Sequence, residues 1–182
     1  LKVGGLVYLS YNTLPGWAAL MPLRRLLVDN AAGTDIPLAA RIDQSLKAAE
    51  ALAQANARYF QNNPGIPERL KHIAGQSRAY IAHEYLNRDF TPFYHTDIVD
   101  ELSAARLTWI APARPLESID NLNFTEAQLA LLATIPQRSR QEGLKDYILN
   151  QQFRRDIFVK GPLPLHTFQA DAIWARSLFV LT

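Results

Sequence analysis

The chain has 182 residues, is 48% hydrophobic and 20% charged, and contains no Cys. That composition builds one sizeable core or two small ones, and it excludes a disulfide scaffold, a thiolate nucleophile and a sulfur-ligated zinc site. A net charge of +2 leaves no basic stripe for nucleic acid, and no apolar run is long enough to span a bilayer, so neither is expected as a partner.

Val3 to Tyr11 is a short apolar run behind Gly4-Gly5, rich in β-forming residues. It reads as a largely buried strand, of the kind found in parallel sheets covered on both faces. Asn12 to Gly16 breaks it with turn residues. Trp17 to Met21 predicts a short helical piece, restarted by Pro22 in a first-turn position and continued along a Leu23, Leu26 and Leu27 stripe as far as Gly33. Pro37 to Gln61 predicts one long helix, with Ile42, Leu46, Ala49, Ala53, Ala57 and Phe60 at steps of three and four. Pro67 to Leu86 predicts a second, carrying Leu70, Ile73, Tyr80, Ile81 and Tyr85 inward, so that the two form a helical hairpin.

Asn87 to His95 reads as a break, after which Thr96 is expected to cap a helix over Asp97 to Ala105, followed by a strand at Leu107 to Ala111. Thr125 and Gln128 match a capping box, with Phe124 and Leu129 placed as its hydrophobic staple, and that helix should end before Pro136. Gly143 to Gln151 predicts a further helix and Phe153 to Gly161 a strand. Pro162 and Pro164 open a loop, and a short helix is expected around Ala170 to Arg176. The fold class is therefore α+β and mainly helical, with three strands far apart in sequence. The first residue is Leu1, the only Met is Met21, and Ser177 to Thr182 is an apolar run of the kind normally buried and continued. These features predict a piece of a longer protein.

Few constellations carry chemistry. His72 and His83 would lie on one face of a single helix but about 16 Å apart, too far to share a metal. His83-Glu84 resembles the opening of a zinc-protease motif, yet Asn87 stands where the second His belongs. Ser10 lacks the glycines of a nucleophile elbow. Tyr11, Asn12 and Trp17 stand at the carboxyl end of the first strand, where open α/β sheets bind ligands; turn formation and core packing explain them equally well. His83 and Glu84, with Tyr94 and His95 further on, are polar tips among aromatics. They suit a pocket for an apolar stem with a cationic end, or simple sealing of helices onto a sheet. Arg154-Arg155-Asp156 within a strand predicts that one Arg pairs with an acid at a domain junction. No GxGxxG fingerprint or P-loop is present, so no nucleotide site is expected in this chain.

Three blocks resemble a known family. Residues 4–17, from Gly4-Gly5-Leu6 through Pro15-Gly16-Trp17, are similar to the fifth-strand segment of class I S-adenosylmethionine-dependent methyltransferases that carry the predicted methyltransferase regulatory domain. Tyr80 to Leu86 with Pro92-Phe93-Tyr94 resemble the middle of that domain, and Asn150 to Gly161 its end, with Lys160 in place of an expected Arg.

The resemblance implies a bacterial, cytoplasmic enzyme whose preceding, N-terminal portion holds S-adenosylmethionine, so that no cofactor is expected on this chain alone. Residues 1–13, 95–112 and 152–161 would complete the last strands of a class I methyltransferase α/β sheet. Residues 14–94 would be a large helical insertion acting as lid or docking module, 113–151 a second insertion, and 162–182 the start of a C-terminal region. The chain would wall the pocket and select the methyl acceptor, with protein lysine as a candidate. Tyr11 and Asn12 are the first expected contacts, Trp17 a wall, and His83, Glu84, Tyr94 and His95 the second set, Glu84 holding an ammonium. No catalytic residue and no metal ligand is assigned. The alternative is a non-catalytic helical module that docks a partner or forms a homodimer.

Overall fold

A computed structural model of the protein describes residues 1–33, 35–162 and 165–178. The expected loop residue Pro164 and the end of the apolar run, 179–182, lie outside the described residues. Three strands, β1 (Leu6–Asn12), β2 (Leu107–Pro112) and β3 (Phe153–Lys160), form one sheet in the order β1-β3-β2. Both neighbours are antiparallel to β3, so β1 and β2 run in the same direction on either side of it. The register pairs Tyr11 with Arg154 and Leu9 with Asp156, and it shifts by one residue between Trp109 and Ala111 on β2. Side chains alternate along β3, so Arg154, Asp156 and Phe158 are buried on one face. Val7, Leu9 and Tyr11 share that face, and with Ile98, Trp109 and Phe158 they make the smaller of two cores.

The first strand departs from the expectation of a largely buried strand in a parallel sheet covered on both faces. Its other face leaves Leu6 and Tyr8 69% and 57% exposed, and among the described residues its pairing is antiparallel and on one side only. A period-two pattern that is apolar at both phases cannot say which face is covered.

The larger core is helical. A 3-10 turn (Ala18–Leu20) leads into α1 (Met21–Asn30), where Pro22 takes the predicted first-turn place and Leu23 and Leu27 are buried. The long helix predicted over 37–61 is two helices, α2 (Leu38–Gln54) and α3 (Arg58–Asn62), because Asn56 adopts a left-handed φ of 55° and ends the first. The helix predicted over 67–86 is likewise α4 (Gly65–Ala74) and α5 (Arg78–Tyr85). Ser77 splits them by capping α5, its hydroxyl accepting from the Tyr80 N–H at 3.2 Å. Trp17, Leu27, Ile42, Phe60, Ile73 and Ile81 meet in this core. Tyr80, expected inward, is 46% exposed.

The remaining helices are α6 (His95–Ala104), α7 (Asp120–Asn123), α8 (Glu126–Ala133), α9 (Arg138–Leu149) and α10 (Thr167–Trp174), with a 3-10 turn at Pro115–Ser118. The Thr125–Gln128 capping box forms as predicted. Thr96 does not cap α6; that place falls to Tyr94, without a side-chain cap, and His95 becomes the first helical residue. Among the described residues no helix is long and apolar enough to cross a membrane.

Three chain segments meet at the carboxyl end of β1. The Thr13 N–H donates to the Gln152 carbonyl at 2.9 Å, the Phe93 N–H to Asn12 at 2.9 Å, and the Leu14 N–H to Phe93 at 3.0 Å. Gly16 closes the junction by donating to the Gln151 carbonyl at 3.1 Å. A Cβ on Gly16 would fall onto that carbonyl oxygen and within 2.6 Å of the Asn150 carbonyl oxygen, and backbone cannot swing aside as a side chain can. Gly16→Ala is therefore expected to lower the free energy of urea unfolding by about 2–4 kcal/mol. Gly65→Ala, at the start of α4 with nothing within 4 Å of the new methyl group, should leave stability unchanged or raise it by about 0.5 kcal/mol.

Candidate functional site

The junction at the end of β1 positions a buried polar cluster. Tyr11 ends the buried face of β1, and the Asn12–Phe93 pairing sets the start of α6 so that His95 lies beside it. The Tyr11 hydroxyl donates to Asp156 Oδ2 at 2.6 Å. His95 Nδ1 lies 3.1 Å from the Tyr11 oxygen and 3.4 Å from Asp156 Oδ2. With the phenol proton given to Asp156, both neighbours of Nδ1 are acceptors. A ring proton therefore sits on Nδ1.

Arg154, two residues before Asp156 on the same face of β3, carries the cluster across to α9. Its Nε and Nη2 donate to the two Asp156 oxygens at 2.9 and 3.1 Å, its Nη1 to Asp146 Oδ1 at 2.7 Å, and Nη2 also to Glu142 Oε2 at 3.1 Å. Glu142 and Asp146 are one turn apart and are the buried residues of α9. Lys145 closes the outer end, donating to Glu142 and Asp120 at 2.7 Å each. A cavity of about 240 Å³ opens onto this row, lined by Glu142, Asp146, Arg154 and Asp156 together with Phe124 and Leu149.

Two of the three carboxylates on Arg154 titrate in opposite directions. Burial alone would raise both. Asp156 also accepts from His95, Arg154 and Tyr11, and these donors hold it well below the usual carboxylate range. Asp146 has one oxygen on Arg154 and the other without a partner, so burial wins and its pKa is pushed up to about 6. Burial and the neighbouring Asp156 charge push the Tyr11 phenol far up, which keeps it a hydrogen-bond donor at all accessible pH. Arg154, despite its burial, is held more firmly protonated by the carboxylates around it.

Of the residues singled out in the sequence, Tyr11 and His95 are brought together, and Tyr94 stands at the entry to α6, its ring 6.5 Å from that of Tyr147. Asn12 sits half-buried at the strand end, paired with Phe153. Trp17 lies in the helical core against Tyr85 and Phe90. His83 and Glu84 hydrogen-bond each other at 3.0 Å on the surface of α5, with His83 82% exposed. The pairing expected of one Arg in the 154–156 run is made by Arg154, with three acids. Asp146, Glu142 and Lys145 were not foreseen. The signal for them was an acidic pair at i, i+4 shortly before a strand that buries an Arg.

Asp146 gives the cluster a pH signature. It binds its proton more tightly in the folded than in the unfolded state, so between about pH 4 and 6 stability falls as pH rises. Asp156 acts the other way and loses stability only as pH drops below the ordinary carboxylate range. Urea unfolding of the wild type and Asp146→Asn across this window should diverge. The wild type is expected to lose about 2 kcal/mol relative to the variant between pH 4 and 7; parallel profiles would contradict the assignment.

Residues 77–160 match the family model described as "Predicted methyltransferase regulatory domain". An uncharacterized protein, sll1526, from Synechocystis sp. (strain ATCC 27184 / PCC 6803 / Kazusa) is 39% identical over 165 residues, which are 91% of this chain and 33% of the relative. The uncharacterized protein RP789 from Rickettsia prowazekii (strain Madrid E) is 25% identical over 171 residues, 91% of this chain and 30% of its own length. The structures of PKMT2 from Rickettsia typhi, one of them in complex with AdoHcy, match with TM-scores of 0.66 and 0.67 at 22% identity. They cover 90% of this chain and 30% and 31% of those chains, and at that identity the likeness is one of fold. The chain spans about a third of the length of the relatives it matches. The matched residues 77–160 contain α5, α6, β2, α7, α8, α9 and all of β3.

Proposed function

We propose that this chain is the regulatory, acceptor-selecting portion of an S-adenosylmethionine-dependent methyltransferase, with protein lysine as its acceptor class. The observation that carries the reading is the sheet. Two strands of like direction flank an antiparallel one, and the outer edge of β1 pairs with nothing among the described residues. A preceding portion of a longer polypeptide would add parallel strands to that edge and cover Leu6 and Tyr8. Residues 1–13, 95–112 and 152–161 then finish a class I sheet, 14–94 and 113–151 are helical insertions, and 162–182 lead into a C-terminal region.

The described residues do not fit the cofactor themselves. Their left-handed glycines, Gly4, Gly33 and Gly161, lie on separate turns rather than in one cradle, so the cofactor is assigned to the preceding portion, where it supplies the electrophilic methyl group. In-line methyl transfer needs a deprotonated acceptor, close approach and a dry site. The contribution of this chain is the wall at the carboxyl end of β1, with Tyr11 holding His95 and Asn12 at the open strand end.

S-adenosylmethionine titrated calorimetrically into residues 1–182 and into the longer protein tests the reading. Binding by the longer form alone is expected; binding by neither would overturn it. In the longer protein Asn12→Ala should lower kcat/KM for the acceptor by about tenfold or more through lost positioning, with cofactor Kd unchanged.

A further inference from the structure

A crevice of about 380 Å³ lies between the helical core and the turn from α9 into β3. Leu20, Asn62 and Ile66 line it from the first unit, Asn150 and Gln152 from the second. Gly16, which bonds the Gln151 carbonyl at the junction, lines it too. The crevice therefore adjoins the carboxyl end of β1, and clefts between packed units are common ligand sites.

Its lining is unbalanced in charge. Arg69 is the one charged residue among the described residues that line it. From α4, its Nη2 donates to Gln152 Oε1 at 3.3 Å and to the Tyr85 hydroxyl at 3.4 Å. Both acceptors are neutral, and both bonds are long for a charged donor, whose usual distance to an anion is about 2.7–2.9 Å. Nε of the same group is cut off from water with no acceptor. No carboxylate among the described residues pairs with Arg69. Other half-buried guanidinium groups are provided for: Arg41 donates to the Ala31 and Gly33 carbonyls, and Arg78 pairs with Asp43 at 2.6 Å. The start of α4, at Gly65 and Ile66, adds the positive end of a helix to the same lining. A guanidinium drawn partly out of water without an anion is completed by one.

One cation balances one negative charge, and the planar fork of a guanidinium matches a planar carboxylate. The other polar side chains of the lining are amides. Asn62 and Asn150 are exposed, and their side chains make no hydrogen bond among the described residues. Asn63 spends its Nδ2 on the Tyr59 carbonyl and keeps Oδ1. A primary amide offers donor and acceptor side by side, the pair that a peptide group matches.

We infer that this crevice binds the carboxylate side chain of an acidic residue in a peptide, with the carboxylate on Arg69 and the flanking peptide groups on Asn62 and Asn150. That the peptide belongs to a methyl acceptor, its acid read beside the lysine, rests on the proposed function; the binding itself does not.

N-acetyl-Gly-Glu-Gly-amide and N-acetyl-Gly-Gln-Gly-amide have nearly the same shape and differ in charge. Titrated into the full chain without S-adenosylmethionine, the glutamyl peptide should bind saturably and the glutaminyl peptide about tenfold more weakly. Arg69→Gln should weaken the glutamyl peptide by about tenfold or more, and Asn62→Ala, at an exposed position, by about threefold. No binding of the glutamyl peptide, equal binding of the two, or binding unchanged by Arg69→Gln overturns the site. Acetate or inorganic phosphate binding as tightly as the glutamyl peptide overturns its assignment to a peptide. The guanidinium nitrogen resonances of Arg69 give a readout that needs no variant. They must move on titration, and resonances that stay in place also overturn the site. Cofactor binding by the longer protein is untouched by any of these results, so the two readings fail separately.

Discussion

Arg154 is a guanidinium sealed from water, and its surroundings are arranged around the cost of putting it there. Moving an ion of that kind out of solvent carries a penalty of several kcal/mol, recovered only when each donor meets an acceptor. Asp156 meets Nε and Nη2 from the same strand, while from α9 Asp146 meets Nη1 and Glu142 shares Nη2. The ion group therefore does what an apolar contact would not: it fixes both the distance of α9 from β3 and its rotation, because only one face presents carboxylates at i, i+4. Asp156 transmits the same constraint to Tyr11 on β1 and His95 on α6. Four elements are registered by one strand residue.

That registration needs the chain to arrive correctly at the end of β1, and backbone hydrogen bonds do this. Segments near residues 13–16, 93 and 150–152 bond one another there, at distances of 2.9–3.1 Å. The contact is so close at Gly16 that no side chain fits. Asn150, in the left-handed region with φ 49°, turns the chain out of α9 into β3, a conformation that Asn tolerates better than most residues. The polar cluster and the backbone junction are thus adjacent devices. One sets where the segments cross, the other sets which side chains meet.

Legibility in the sequence followed the same division. Apolar periodicity found the strands and nearly every helical stretch, since burial of Leu23, Ile42, Ile73 and Ile81 is what it measures. It merged α2 with α3 and α4 with α5, because Asn56 and Ser77 interrupt the backbone without breaking the hydrophobic rhythm. It misjudged β1, whose two faces look alike in sequence and differ in cover. On α9 it could say least. The buried residues there are Glu142 and Asp146, so the helix turns charge inward, where the amphipathic rule places charge outside. Tyr11 and His95 were visible as candidates by position, but their joining through Asp156 was not, because it depends on strand register and on α6 starting one residue before Thr96.

The exposed side of the sheet bears on how much of a larger assembly this chain represents. Leu6 and Tyr8 stand open on β1, beside a strand edge with unpaired backbone groups. Folded proteins cover or blunt such edges, since a flat apolar edge recruits other strands. Here the edge is neither short nor charged along its exposed face, and nothing among the described residues pairs with it. The relatives are about three times as long as the stretch they share with this chain. The buried face, by contrast, is complete within the described residues: Phe158 is wholly enclosed and Arg154 fully paired. The division is a physical reason for treating the residues that surround Arg154 as this chain's own contribution.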